Sequence, residues 1–398
     1  MPAHPHELVA RMQPHQASIF GEMSALATEV GAVNLGQGFP DTDGPEELKR
    51  IAIACIENGE GNQYPPAHGM PVLRQAIADH QRDWYGLHPD PDHGVCVATG
   101  ASEALVASVL AFVEPGDEVI VLEPYFDLYV AAISLAGATR VTVPLLAPEP
   151  GSGEPFRLDR AALTDAITDR TRMVIVNTPH NPTGAVLDSV DLSHIARVAI
   201  DNDLLVLSDE AYEHQFFEPA RHVPIAGLPG MWERTITVGS GGKSFSFTGW
   251  KVGWASGPAE LIGPVRVIRQ HLSYVSSGPF QPAIAAGLRL PRSYFTDLAA
   301  SMRERRDLMS TGLARLGFEV IPSQGTYFIT TDVRSVGYSS GRQFCRELPR
   351  GAGAGVVAIP IAALADDRDR FDPFVRWTFG KSESVLEEAL RRLTAAVG

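Results

Sequence analysis

The chain has 398 residues, 44% of them hydrophobic and 20% charged, which excludes a disordered or fibrous polymer and leaves room for two domains or one elaborated one. A formal net charge of −14 argues against nucleic acid as the main partner, because phosphate backbones call for a basic face. Cys55, Cys96 and Cys345 have no paired spacing, the histidines form no H-E-x-x-H pattern, and no apolar run is long enough to cross a bilayer, so neither a disulfide framework, a metal site nor a membrane span is expected.

The N-terminal stretch MPAHPHELVARMQPHQ lacks the apolar core of a secretory signal, and a cytoplasmic setting is the expectation. The following NLGQGFPD (34–41) is rich in turn formers. Its glycines do not make a dinucleotide fingerprint, since the third glycine and the strand before it are missing. From about residue 95 to 257 short β-branched runs alternate with segments of helical period. The runs are VCVAT (95–99), EVIVL (118–122), MVIVN (173–177), LLVLS (204–208) and TITVG (235–239), with SEALVASVLAFV and LSHIARVAIDN among the helical segments. This rhythm predicts an α/β fold with a mainly parallel sheet between helices.

After residue 290 come a long charged helix (FTDLAASMRERRDLMSTGLARLG), the segment FEVIPSQGTYFITTDV and a C-terminal amphipathic helix, which predict a smaller α+β domain. The expected division is a large domain over 45–290 and a small one built from 1–44 and 291–398.

In a parallel sheet the ligand lies beyond the carboxyl ends of the strands. The residues there include the turn Gly100-Ala101-Ser102, Tyr125, Asn181, Asp209, Tyr212 and the stretch TVGSGGKSFSFTGWKVGWASG, which carries Ser240, Lys243 and Lys251. A lysine among small residues fits a Schiff base with an aldehyde, and pyridoxal phosphate supplies one. Asp209 then holds the pyridine nitrogen protonated, Asn181 and Tyr212 serve the ring's phenolic oxygen, and Tyr125 stacks on the ring. Gly100, Ala101 and Ser102 at a helix start, with Ser240 and Lys251, hold the phosphate.

The pattern Ser240, Lys243, Thr248, Gly249, Lys251, Gly253 resembles the lysine signature of class I aminotransferases of fold type I. NLGQGFPD, NQYPP, EPYFDLY, NTPHNPTGAV, SDEAYEH and VRWTFGK resemble, in order, landmarks of the kynurenine and glutamine aminotransferase branch, with bacterial succinyldiaminopimelate aminotransferases most similar. The resemblance implies that Arg376 pairs with the substrate α-carboxylate, which suits a planar guanidinium. It implies backbone contacts from Gly36 and a homodimer in which Tyr64 and Tyr274 come from the neighbouring subunit. It departs at Gly241-Gly242, at Ser102 and at Ile19, where kynurenine-active relatives have a tryptophan wall; these positions bear on side-chain preference.

The reaction expected is ping-pong transfer of an amino group from an L-amino acid to a 2-oxo acid, of succinyldiaminopimelate or kynurenine/glutamine type. A pyridoxal phosphate β-lyase acting on cysteine S-conjugates, an oxidase, and a non-catalytic cofactor-binding regulator are the alternatives.

Overall fold

The structure, a computed structural model, describes residues 7–351 and 355–397. A short β1 (Val33–Asn34) follows the first α-helix, Ile19–Val30. Then β2 (Val95–Thr99), β3 (Glu118–Glu123), β4 (Thr139–Leu146), β5 (Arg157–Leu158), β6 (Thr171–Asn177), β7 (Leu205–Asp209), β8 (Thr235–Ser240) and β9 (Val252–Ser256) form one sheet. Their order is β2-β9-β8-β7-β6-β3-β4-β5. The strands from β8 to β4 are parallel, while β9 runs antiparallel to both neighbours and β5 is an antiparallel edge.

All five apolar runs fall in strands of this sheet. Their apolarity is continuous because both faces are covered: Ile120, Val174 and Val206 pack in one core, and Val119, Met173, Ile175 and Leu207 in another. Three strands escape the pattern. β4 carries Pro144 and is half-exposed, β5 has two residues, and β9 (VGWAS) lies inside the glycine-rich lysine stretch.

A second sheet follows, from β10 (Glu319–Ile321) and β11 (Phe328–Asp332). Next, β12 (Val356–Val357) pairs in parallel with β1, and β13 (Ile359–Pro360) and β14 (Phe374–Thr378) complete an antiparallel sheet of order β10-β11-β14-β13. Met23, Leu26 and Ala27 of the first helix share a core with Met302, Phe328, Trp377 and Leu393. The N-terminal segment therefore packs with the C-terminal part. The long helix Arg292–Arg315 joins the lobes: Phe295 packs under β2 and β9, and Met302, Met309 and Leu313 enter the second core. On this basis we propose domain boundaries at 44/45 and 290/291; residues 1–6, 352–354 and 398 of the smaller domain lie outside the described residues.

The carboxyl ends of β6, β7 and β8 stand side by side, with Asn177 in register with Asp209 and Asp209 with Val238. The turn after β2 is brought against β9 by a glycine, since a Cβ on Gly253 would lie 2.3 Å from the Ala101 nitrogen. Gly253→Ala is expected to cost about 1–3 kcal/mol through overpacking. A lowered thermal unfolding midpoint is the readout, and an unchanged midpoint would contradict this packing.

Candidate active site

Between the two lobes, at the carboxyl ends of the parallel strands, lies a cavity of about 270 Å³. Lys243 enters it from the short helix Gly241–Ser244 directly after β8. Its Nζ donates to the Tyr327 hydroxyl at 2.7 Å and to the Gly38 carbonyl at 3.2 Å. Behind the cavity the same turn is clamped. Gln215 Nε2 donates to the Lys243 carbonyl at 2.9 Å, the His214 ring nitrogen Nδ1 lies 2.7 Å from Ser244 Oγ, and the Tyr294 hydroxyl donates to the Ser244 carbonyl at 3.1 Å. The paired glycines before Lys243 have a packing reason: a Cβ on Gly241 would meet Ile284 at 2.9 Å, and one on Gly242 the Thr248 backbone at 3.0 Å.

Asp209 ends β7 and is buried. Its carboxylate accepts from the Tyr129 hydroxyl at 2.6 Å and from the Ala211 N–H at 3.1 Å. Burial raises its pKa, opposed by these two bonds and by the charge of Lys243. Tyr212 also lines the cavity, and burial holds its hydroxyl well above the ordinary range.

At the far end Gly100, Ala101 and Ser102 begin the helix Gly100–Phe112 and face the cavity beside Ser240 and Lys251. Gly100 has φ +74, and a Cβ there would lie 3.0 Å from Lys251 Nζ. Lys251 itself takes a left-handed backbone, φ +52, and its Nζ lies 3.5 Å from Ser102 Oγ. A non-glycine residue held there is strained, and such strain persists where neighbours over-determine it. Burial lowers the pKa of Lys251, and the charge of Lys243 adds to this. Free N–H groups, a helix dipole and an ammonium make an anion site.

Arg376, on β14, closes the opposite wall with a fully buried guanidinium. Nη1 donates to Asn181 Oδ1 at 2.8 Å and Nη2 to the Gly36 carbonyl at 2.6 Å, while Nε has no partner. Burial pushes its pKa down to about 10. Its stacking partners are Phe328, 4.0 Å from the guanidinium carbon to the ring centre, and Phe20 at 5.0 Å. Trp377, next along the strand, points to the other face and bonds Thr331.

Several expected positions are changed. Tyr125 does not face the cavity; it is turned away with its hydroxyl 2.8 Å from Asp366, and the aromatic wall is Phe126. Ile19 also lies outside, and Phe20 lines the cavity instead, so an aromatic wall is present after all. Asn181 commits Oδ1 to Arg376, leaving its amide nitrogen as the group free to serve a ligand. Gly36 acts through its carbonyl on Arg376. Tyr64 and Tyr274 are exposed and edge-to-face at 5.3 Å, outside the cavity of their own chain. Tyr327, Tyr129, Phe126, Phe328 and Phe20 were not singled out as site residues; Tyr327 and Phe328 stand in QGTYF, which reads as strand texture.

The sequence model described as aminotransferase class I and II matches residues 30–393. The chain belongs to this family. Over 394 residues it is 49% identical to a probable N-succinyldiaminopimelate aminotransferase of Mycobacterium tuberculosis, covering 97% of this chain and 98% of the relative. A methionine aminotransferase of Escherichia coli is 37% identical over 94% of this chain and 95% of its own. The solved structure of the Mycobacterium tuberculosis N-succinyldiaminopimelate aminotransferase superposes with a TM-score of 0.94, covering 98% of this chain and 99% of that one at 49% identity.

The protein is an aminotransferase of this class, with pyridoxal phosphate as cofactor, and these relatives lend no support to a lyase or oxidase. Its residues fit that cofactor. Lys243, Lys251 and Arg376 line the cavity as three cations against one buried acid, and Arg376 Nε is buried without a hydrogen-bond partner. Such a cavity favours a phosphate and a carboxylate. No helix among the described residues is long and apolar enough to cross a membrane.

A raised carboxyl pKa is a stability cost of the ionised form. Below its ordinary value of 3.8 Asp209 is protonated in both folded and unfolded chains and carries no penalty; the penalty grows as pH rises through the folded value. Cofactor-free Asp209→Asn should therefore unfold at a higher temperature than the parent at neutral pH, with the gap closing in acid. A lower midpoint at neutral pH would contradict this electrostatic reading.

Proposed function

We propose that Lys243 is the residue that binds the cofactor covalently and then serves as general base toward the substrate α-carbon. The observation that carries this is the convergence of the Lys243 amine, the Asp209 carboxylate and the Arg376 guanidinium on one cavity, with Arg376 bonded only to neutral oxygens. Bound pyridoxal phosphate supplies an electron sink for the pair left when the α-proton departs.

The chain's own groups do the rest. Asp209, fixed by Tyr129 and Ala211, would keep the ring nitrogen of the bound cofactor protonated. The amide nitrogen of Asn181 and the Tyr212 hydroxyl would donate to its ring oxygen. Gly100, Ala101, Ser102, Ser240 and Lys251 would hold its phosphate, and Phe126 would pack on its ring. Arg376 takes the α-carboxylate and thereby sets the α-proton toward Lys243. Lys243 accepts that proton and returns it.

For the substrate, likeness over nearly the full chain to the mycobacterial relative supports an N-succinylated diaminopimelate-type amino acid with a 2-oxo acid as acceptor. A kynurenine-type aromatic donor is the second reading, favoured by Phe20, Phe126 and Phe328 lining the cavity. We place the enzyme in the cytoplasm as a homodimer. Tyr64 and Tyr274 are exposed, pack edge-to-face on each other and do not line the cavity of their own chain, which supports a role at a partner's cavity.

Lys243→Ala should lose the lysine-bound cofactor absorbance and nearly all turnover; turnover at the parent rate would remove the assignment. In a donor panel against 2-oxoglutarate and pyruvate, the succinylated diaminopimelate should give the highest kcat/KM, and kynurenine in first place would favour the second reading. With one amino acid and no oxo acid, conversion should stop after one equivalent, whereas continued release of product would point to elimination.

Shared sites make a further prediction. Lys243→Ala and Tyr64→Ala subunits, each weak alone, should regain activity when unfolded and refolded together, because one site of the mixed dimer then holds both native residues. No recovery in verified mixed dimers would contradict the cross-subunit role.

A further inference from the structure

Tyr327 is fully buried on the loop entering β11, and its hydroxyl donates to the Gly38 carbonyl at 2.5 Å. Its one proton is thus committed, and the oxygen meets Lys243 Nζ, 2.7 Å away, as an acceptor. Gly38 offers its carbonyl to the same amine at 3.2 Å. Burial lifts the Tyr327 pKa well above the ordinary range, so the hydroxyl keeps its proton on Gly38.

The placement of Tyr327 is enforced from two sides. Thr326 before it sits at φ +64, a left-handed conformation that a β-branched residue rarely adopts. The Thr326 N–H is held at 2.7 Å by the Gln215 carbonyl, and the Gln215 side chain donates to the Lys243 carbonyl at 2.9 Å. One glutamine therefore ties the backbone of the lysine to that of the tyrosine, fixing their separation.

We propose that Tyr327 is a further catalytic residue: with the Gly38 carbonyl it holds both N–H bonds of the neutral Lys243 amine and so aims its single lone pair into the cavity. This rests on Lys243 being the reacting lysine. When the amine takes the α-proton, the C–H bond breaks, its electron pair stays on the carbon side, and a third N–H bond forms on Lys243. The two older N–H bonds remain on Tyr327 and Gly38, so the new one faces the substrate and is the one returned. Gly38 lies in the N-terminal segment, so the contact also makes the lysine's aim depend on that segment being seated.

The test compares Tyr327→Phe with the parent enzyme. Loss of one of the two acceptors that aim the Lys243 amine should lower kcat about 10- to 100-fold, leave KM within about threefold, and enlarge the α-deuterium isotope effect. Cofactor affinity, followed by absorbance titration, should stay within about twofold, because Tyr327 makes no phosphate contact.

A readout independent of turnover uses the cofactor-free full chain. Reductive methylation of Lys243 by formaldehyde, followed by mass spectrometry, should slow about tenfold in Tyr327→Phe, with Lys251 in the same cavity unchanged as internal control. A fluorinated tyrosine at 327, which keeps the shape and weakens the acceptor, should fall between the two. Unchanged kcat, isotope effect and Lys243 labelling in the variants overturn the inference. Turnover persisting in Lys243→Ala would instead overturn the assignment of the lysine.

Discussion

The arrangement depends on one costly feature, a guanidinium taken out of water and given no carboxylate. Arg376 rests on an amide oxygen and a backbone carbonyl, packs against the rings of Phe328 and Phe20, and leaves its Nε without a partner. Burying a charge in this way is destabilising unless an anion arrives. The fold tolerates it because β14 is an inner strand of the smaller sheet, held on both sides by β11 and β13. The cost becomes selectivity: a ligand that brings a carboxylate completes the hydrogen bonds that the protein leaves open.

The same logic runs along the cavity. The parallel strands deliver Asn177, Asp209 and Ser240 to one edge, while the smaller lobe brings Arg376 and Phe328 to the opposite wall and sets Tyr327 against the Lys243 amine. Neither lobe makes the site alone. The β1 to β12 pairing and the shared core of the first helix carry the segment Gly36–Gly38 into contact with both Lys243 and Arg376. Within three residues, that segment offers one carbonyl to the lysine amine and another to the guanidinium.

Much of this was legible in the sequence because the chemistry sits where chain punctuation is strongest. Lys243, Lys251 and Gly253 stand in a run whose small residues make sense only if backbone must approach backbone, and the spacing survives intact in the structure. Asp209 and Asn181 follow apolar runs whose ends are readable. Tyr125 was misplaced because two aromatics are adjacent, and sequence does not tell which one turns inward; the Arg140–Asp366 pair captures Tyr125 and leaves Phe126 to the cavity. Phe20 was hidden behind Ile19 for the same reason. Tyr327 was invisible because its importance comes from a strained Thr326 and a contact to residue 38, a long-range pairing that no local pattern encodes.

The most direct measurement of the central claim is to reduce the purified, cofactor-loaded enzyme with borohydride and map the modified peptide by mass spectrometry. A phosphopyridoxyl group on Lys243 is the result this account predicts. The group on Lys251, on another lysine, or on none would contradict it.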